Sequence, residues 1–95
     1  MTVAENGLIL EANYTAARLL NIQPKKLSKH SLPDFILKED QDIYYIHRKH
    51  LIETGKPQSC ELRMRTNDGT LIQQLHGSLT IDRSRGTRFI IALED

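Results

Sequence analysis

Between Asp40 and Pro57 the apolar positions recur about every four residues: Ile43, His47 and Leu51 form one stripe, with Tyr44 beside it. That spacing predicts an amphipathic helix with a histidine in the middle of its buried face. Asp40 is placed to cap the first turn, and Asp42 suits the positive end of the helix dipole. Gly55 followed by Pro57 stops the helix, because glycine takes the left-handed position and proline cannot continue the hydrogen-bond ladder. Beyond Pro57 the period changes to two. Cys60, Leu62 and Met64 alternate with Glu61, Arg63 and Arg65, as in a strand with one wet face. Asn67-Asp68-Gly69-Thr70 predicts a hairpin turn. The next strand runs from about Leu71 to Ile81. Leu71, Gln73, Leu75, Gly77, Leu79 and Ile81 share one parity, and Ile72, Gln74, His76, Ser78 and Thr80 the other. A polar turn around Gly86 leads to a last strand, Arg88 to Leu93. Phe89, Ile91 and Leu93 lie on one side of it and Ile90 and Ala92 on the other, so both faces call for cover.

The first forty residues are less periodic. Thr2 to Ala4 is short and β-prone, Glu5-Asn6-Gly7 is a turn, and Leu8-Ile9-Leu10 is a brief strand. Asn13 predicts the N-cap of a helix through Leu20, and Asn21 its left-handed end. Lys25 to Ile36 is a connector, with one helical turn at Ser31–Ile36 carrying Pro33 near its start. Two short strands, helices, a long helix and three antiparallel strands make an α+β domain with its helices gathered in the middle.

Composition narrows the class without naming it. Ninety-five residues hold one core. Thirteen basic residues against twelve acidic ones leave a charge of +1, so no net field draws nucleic acid or an acidic membrane surface. Lys25, Lys26, Lys29 and His30 form a small basic cluster, but no aromatic residues interleave with it as a nucleic-acid surface requires. The single cysteine, Cys60, allows no internal disulfide and suits a reducing compartment. No apolar run approaches the length of a membrane span. No nucleophile–base pair, paired carboxylates or glycine-rich phosphate loop stands out, so the expectation is a domain that is not an enzyme.

Taken together these segments resemble the PAS domain family of bacterial signalling modules. Gly7-Leu8-Ile9-Leu10-Glu11-Ala12-Asn13 followed by Ala16, Ala17 and Leu20 is similar to the family's second strand and first helix. Leu32-Pro33-Asp34-Phe35-Ile36 with Glu39-Asp40 is similar to its short-helix signature. Tyr44, His47, Leu51 and Thr54-Gly55 resemble its long helix, Asp68-Gly69-Thr70 its hairpin, and Asp95 the start of its Asp-Ile-Thr close. The nearest look is of PAS domains in sensor histidine kinases and diguanylate cyclases. The resemblance implies a five-stranded antiparallel sheet with helices on one face, the first strand beside the last, and a small-molecule pocket between. It also implies a first strand shortened to about Met1–Ala4, a domain excised from a longer protein, cytoplasmic placement even where the parent is membrane-anchored, and an output domain in cis beyond Asp95.

The pocket depends on strand register. Apolar alternation alone turns Leu71, Leu75, Leu79 and Ile81 into the core. The family register, counted from the position of its usual tryptophan (here Gln73), turns Gln74, His76 and Ser78 inward instead, and a one-residue slip reverses every side chain. The expectation follows the family register. Its ligand pocket comprises Tyr44, His47, Leu51, Leu62, Met64, Gln74, His76, Ser78, Ile91 and Leu93, suited to a small polar or anionic molecule. Leu75, Leu79, Ile81, Ile90 and Ala92 then form an apolar outer face that pairs two copies as a homodimer. The alternative is a filled core and a pure dimerisation module. No cofactor is identifiable. The haem ligand of related domains falls at Tyr44, which disfavours haem, and the flavin-reactive cysteine motif is absent. His47 and His50 have no metal-binding partners at recognisable spacing, and Cys60 reads as structural. Nucleic-acid binding and direct membrane contact are not expected.

Overall fold

The computed structural model describes residues 1–66 and 69–94. Strands β1 (Thr2–Ala4) and β2 (Ile9–Glu11) meet across a turn in which Gly7 takes φ +94°. Helix α1 (Tyr14–Leu20) starts where Asn13 Oδ1 accepts the Ala16 amide at 2.9 Å, and ends at Asn21 in the left-handed conformation. Helix α2 (Pro24–Leu27) and two 3-10 turns, Leu32–Phe35 and Lys38–Asp40, form the connector. Helix α3 (Gln41–Thr54) stops at Gly55, φ +67°. Strands β3 (Gln58–Thr66), β4 (Gly69–Asp82) and β5 (Gly86–Glu94) complete an antiparallel sheet of order β2-β1-β5-β4-β3. The first strand therefore lies beside the last. The turn expected at Asn67 and Asp68 lies outside the described residues; Thr66 pairs with Gly69 on either side of it.

The register of β4 is the one that apolar alternation reads, and it corrects the one carried over from the resemblance. Leu75 pairs with Leu93, Gly77 with Ile91 and Leu79 with Phe89, and this parity faces the helices. Leu75 is fully buried and Phe89 nearly so. Gln74, His76 and Ser78 face the other way. The physical reason sits at Gly77. A Cβ there would lie 2.5 Å from His47 Cε1, so the strand gives up a side chain where the helix supplies an imidazole. Burial of Leu75 contributes about 1.5–3 kcal/mol, which the polar parity cannot match.

Asp40 also departs from expectation. It occupies the N-cap position of α3 but makes no side-chain cap. Its carboxylate instead accepts from the Arg63 backbone amide (2.7 Å), Nε (2.9 Å) and Nη2 (2.8 Å). A charged, forked donor on the neighbouring strand outcompetes helix amides. The Leu37 amide donates back to Arg63 O at 3.0 Å, so this stretch of connector is bonded along the outer edge of β3. The opposite edge is treated the same way: Ile9 N donates to His30 O (2.9 Å) and Leu32 N to Gly7 O (2.8 Å) beside β2. No helix among the described residues is long and apolar enough to cross a membrane.

Candidate functional site

Seven of the ten expected pocket residues converge. Tyr44, His47 and Leu51 come from α3, Leu62 and Met64 from β3, and Ile91 and Leu93 from β5, all buried. The other three, Gln74, His76 and Ser78, lie on the far side of the sheet. The helix side of β4 carries the buried Gln73, Leu75 and Gly77 instead, and His47 and Leu51 close over Gly77. Ile43, the first residue of the expected helical stripe, is exposed at the helix margin.

His47 is 4% exposed. Its Nε2–H donates to the Gln58 carbonyl at 3.1 Å, since a carbonyl can only accept. Burial pulls its pKa below the ordinary 6.5, partly offset by that hydrogen bond, and the ring is neutral at pH 7. Tyr44, one turn earlier, is 3% exposed. Burial pushes its phenol up to about 12 against the opposing charge of Arg48. The Arg48 guanidinium stacks 5.8 Å above the Phe89 ring, and its Nε is buried without a hydrogen-bond partner among the described residues. Neither Arg48 nor the buried Gln73 was among the expected site residues. A basic residue next to His47 on the helix and one of two adjacent glutamines in a strand carry no distinctive pattern.

On the outer flank of α3 the helix and the start of β3 leave a crevice of about 220 Å³. Ile43, Ile46, His47, His50, Gln58 and Cys60 line it. Cys60 is half-buried, and burial raises its pKa, which keeps the thiol protonated. Among the described residues, no group of three or more His, Cys, Asp or Glu side chains is placed to hold a metal ion within one chain.

On the outer sheet face β3 and β4 present polar side chains from Ser59, Glu61, Gln74, His76 and Ser78, and β5 presents Ile90 and Ala92 between Arg88 and Glu94. Ser59 Oγ lies 2.7 Å from His76 Nδ1, and His76 Nε2 lies 3.1 Å from Glu94 Oε2, a chain of contacts across three strands. Gln74 Nε2 donates to Glu61 at 2.9 Å in the next row. Beside them Ile90 is 42% exposed, and Ala92 is exposed too. Of the five residues expected to be exposed together on the outer sheet face, these two lie on it. Leu75 is core, Leu79 is half-buried on the helix side, and Ile81, of the same parity, is 74% exposed near the end of its strand.

A five-stranded antiparallel sheet of order 2-1-5-4-3 with its helices on one face defines a class of small α+β domain. The profile of the PAS fold matches residues 1–95, and the chain belongs to that family, whose members are typically sensory modules rather than catalysts. No curated protein sequence matches the chain. Among solved structures, it is similar to the wild-type PAS-B domain of Drosophila melanogaster Cycle with bound ethylene glycol. The TM-score is 0.81 at 12% identity, covering 98% of this chain and 96% of that one. It is similar to the PAS domain of an HTR-like protein from Haloarcula marismortui, with TM-score 0.79, 18% identity and coverage of 99% and 77%. A domain of a sensory box sensor histidine kinase/response regulator from Geobacter sulfurreducens gives TM-score 0.72 at 14% identity, covering 99% and 79%.

Proposed function

We propose that this PAS domain is a cytoplasmic sensory module that pairs with a second copy through its outer sheet face and so sets the activity of an attached output domain, such as a histidine kinase or diguanylate cyclase. The observation that carries this reading is the contrast between the two faces of β5. Phe89, Ile91 and Leu93 are buried on the helix side, whereas Ile90 and Ala92 are exposed on the middle strand of the outer face, with the small Ser78 paired to Ile90. A second copy removes that apolar area from water. Sedimentation velocity tests it. The unmodified chain is expected to dimerise, and Ile90→Glu to sediment as a monomer with unchanged far-UV circular dichroism. A variant that stays dimeric removes this face from the interface.

The α3–β3 crevice favours a second reading, in which a small ligand biases the module. It combines apolar walls with imidazole, thiol and carbonyl groups, as small-molecule sites do. A ligand acts there only through different affinities for two states of the domain. Native mass spectrometry of the purified chain reads a bound mass directly, and an absorbance scan distinguishes haem or flavin from a colourless ligand.

A further inference from the structure

We propose that the outer sheet face carries half of a zinc site, completed by a second copy of the chain. This rests on the pairing of copies proposed above and adds a cation that controls it.

The half-site is His76 Nε2 on β4 and Glu94 Oε2 on β5, 3.1 Å apart. Two ligands held about 2.0–2.1 Å from zinc at a tetrahedral angle stand about 3.3 Å from each other, so the pair already has the bite of two zinc ligands. Ser59 Oγ, 2.7 Å from His76 Nδ1, fixes the ring. Without metal, Nε2–H donates to the Glu94 carboxylate and Nδ1 accepts from the Ser59 hydroxyl. With metal, the imidazole proton sits on Nδ1, the Ser59 oxygen accepts it, and the Nε2 lone pair is free for zinc. A hydroxyl serves both tautomers because it donates and accepts. This is the outer-shell orientation that metal-bound histidines use. Both side chains remain reachable: His76 is 43% and Glu94 71% exposed.

One chain supplies two ligands, and zinc takes four. A two-fold axis over this row repeats the pair, giving two imidazoles and two carboxylates. The same axis brings the two Glu94 carboxylates together, with Glu61 and its hydrogen-bonded Gln74 in the adjoining row. Without a cation those carboxylates oppose the apolar contact of Ile90 and Ala92. With one, they reinforce it.

The experiment uses the tag-free chain, in sedimentation velocity with parallel zinc titration, in EDTA and in zinc chloride. Zinc is expected to tighten the dimer at least tenfold, at one ion per two chains. His76→Ala and Glu94→Gln remove this response with far-UV circular dichroism unchanged, and His50→Ala keeps it. Ser59→Ala weakens zinc binding about 10–100-fold. Equal dimerisation in EDTA and zinc overturns the metal site and leaves the pairing of copies standing. A monomer under both conditions overturns both. A zinc response that survives His76→Ala, or is lost in His50→Ala, places the cation elsewhere and overturns this assignment.

Discussion

Gly77→Ala is the substitution whose sign the structure decides. In a strand interior, replacing glycine by alanine stabilises by about 0.5–1 kcal/mol where the site has room. Gly77 does not have a positive φ, so its backbone suits alanine. Space is the obstacle. The new methyl would lie 2.5 Å from His47 Cε1, 3.0 Å from Nε2 and 3.0 Å from Leu51 Cδ1. Leu51 is buried and His47 is tied to Gln58 O, so neither retreats freely. Overpacking of this kind costs about 1–3 kcal/mol. Moving the ring far enough to relieve it forfeits a hydrogen bond of about 1 kcal/mol. The net expectation is a loss of about 2 kcal/mol, or a fall in Tm of about 8–16 °C for a domain of this size. Urea and thermal unfolding at pH 7 measure it. The decisive comparison is the double-mutant cycle. In a His47→Ala background, Gly77→Ala is expected to be neutral or stabilising. An equal penalty in both backgrounds, or no penalty in the unmodified chain, refutes the reasoning. The pH dependence is a second readout. Because burial holds the His47 pKa below 6.5, the unfolded chain takes up the proton first, and stability is lost as pH falls below about 6.5. That slope shrinks in His47→Ala and wherever the ring is pushed into water.

Two further substitutions test the register and the edge lock. Leu75→Ala is expected to cost about 2–5 kcal/mol in denaturant melts, and His76→Ala to stay within about 0.5 kcal/mol; the reverse ranking would restore the register that the resemblance implies. Hydrogen bonds from Arg63 hold the Asp40 carboxyl down to about 2 from an unfolded 3.8, so its contribution is complete above that unfolded value and is lost as pH falls from about 4 to about 2. Asp40→Asn is therefore expected to lower stability at pH 7 and flatten that limb, and unfolding midpoints identical to the unmodified chain from pH 2 to 7 would falsify the assignment.

The elements were legible where local chemistry sets them. Asn13, Asn21 and Gly55 end their helices as their side chains or lack of one dictate, period-two alternation marks β3, and an apolar run marks β5. The register of β4 was harder. Both of its parities mix apolar and polar residues, and the residue that decides between them, Gly77, has no side chain to show in a hydrophobic pattern. Counting from a tryptophan position occupied by Gln73 placed the strand one residue out of phase. Asp40 misled for a related reason. A cap is a local bond, and nothing local announces a guanidinium twenty-three residues away. The helical stripe placed His47 on the buried face, where the structure has it, but its single bond to the Gln58 carbonyl had no local signal. The row of Ser59, His76 and Glu94 was not legible, because it exists only once three strands are laid side by side.

The bonds that the connector makes along β2 and β3 have a consequence for assembly. A sheet grows into filaments by adding strands at its margins, where amide and carbonyl groups point into water. Here His30 and Leu32 engage one margin, while Leu37 and Asp40 engage the other. Lateral polymerisation is obstructed at both ends of the sheet by the chain itself. The pairing of copies proposed above would use the broad outer face instead, a two-fold contact that closes after two.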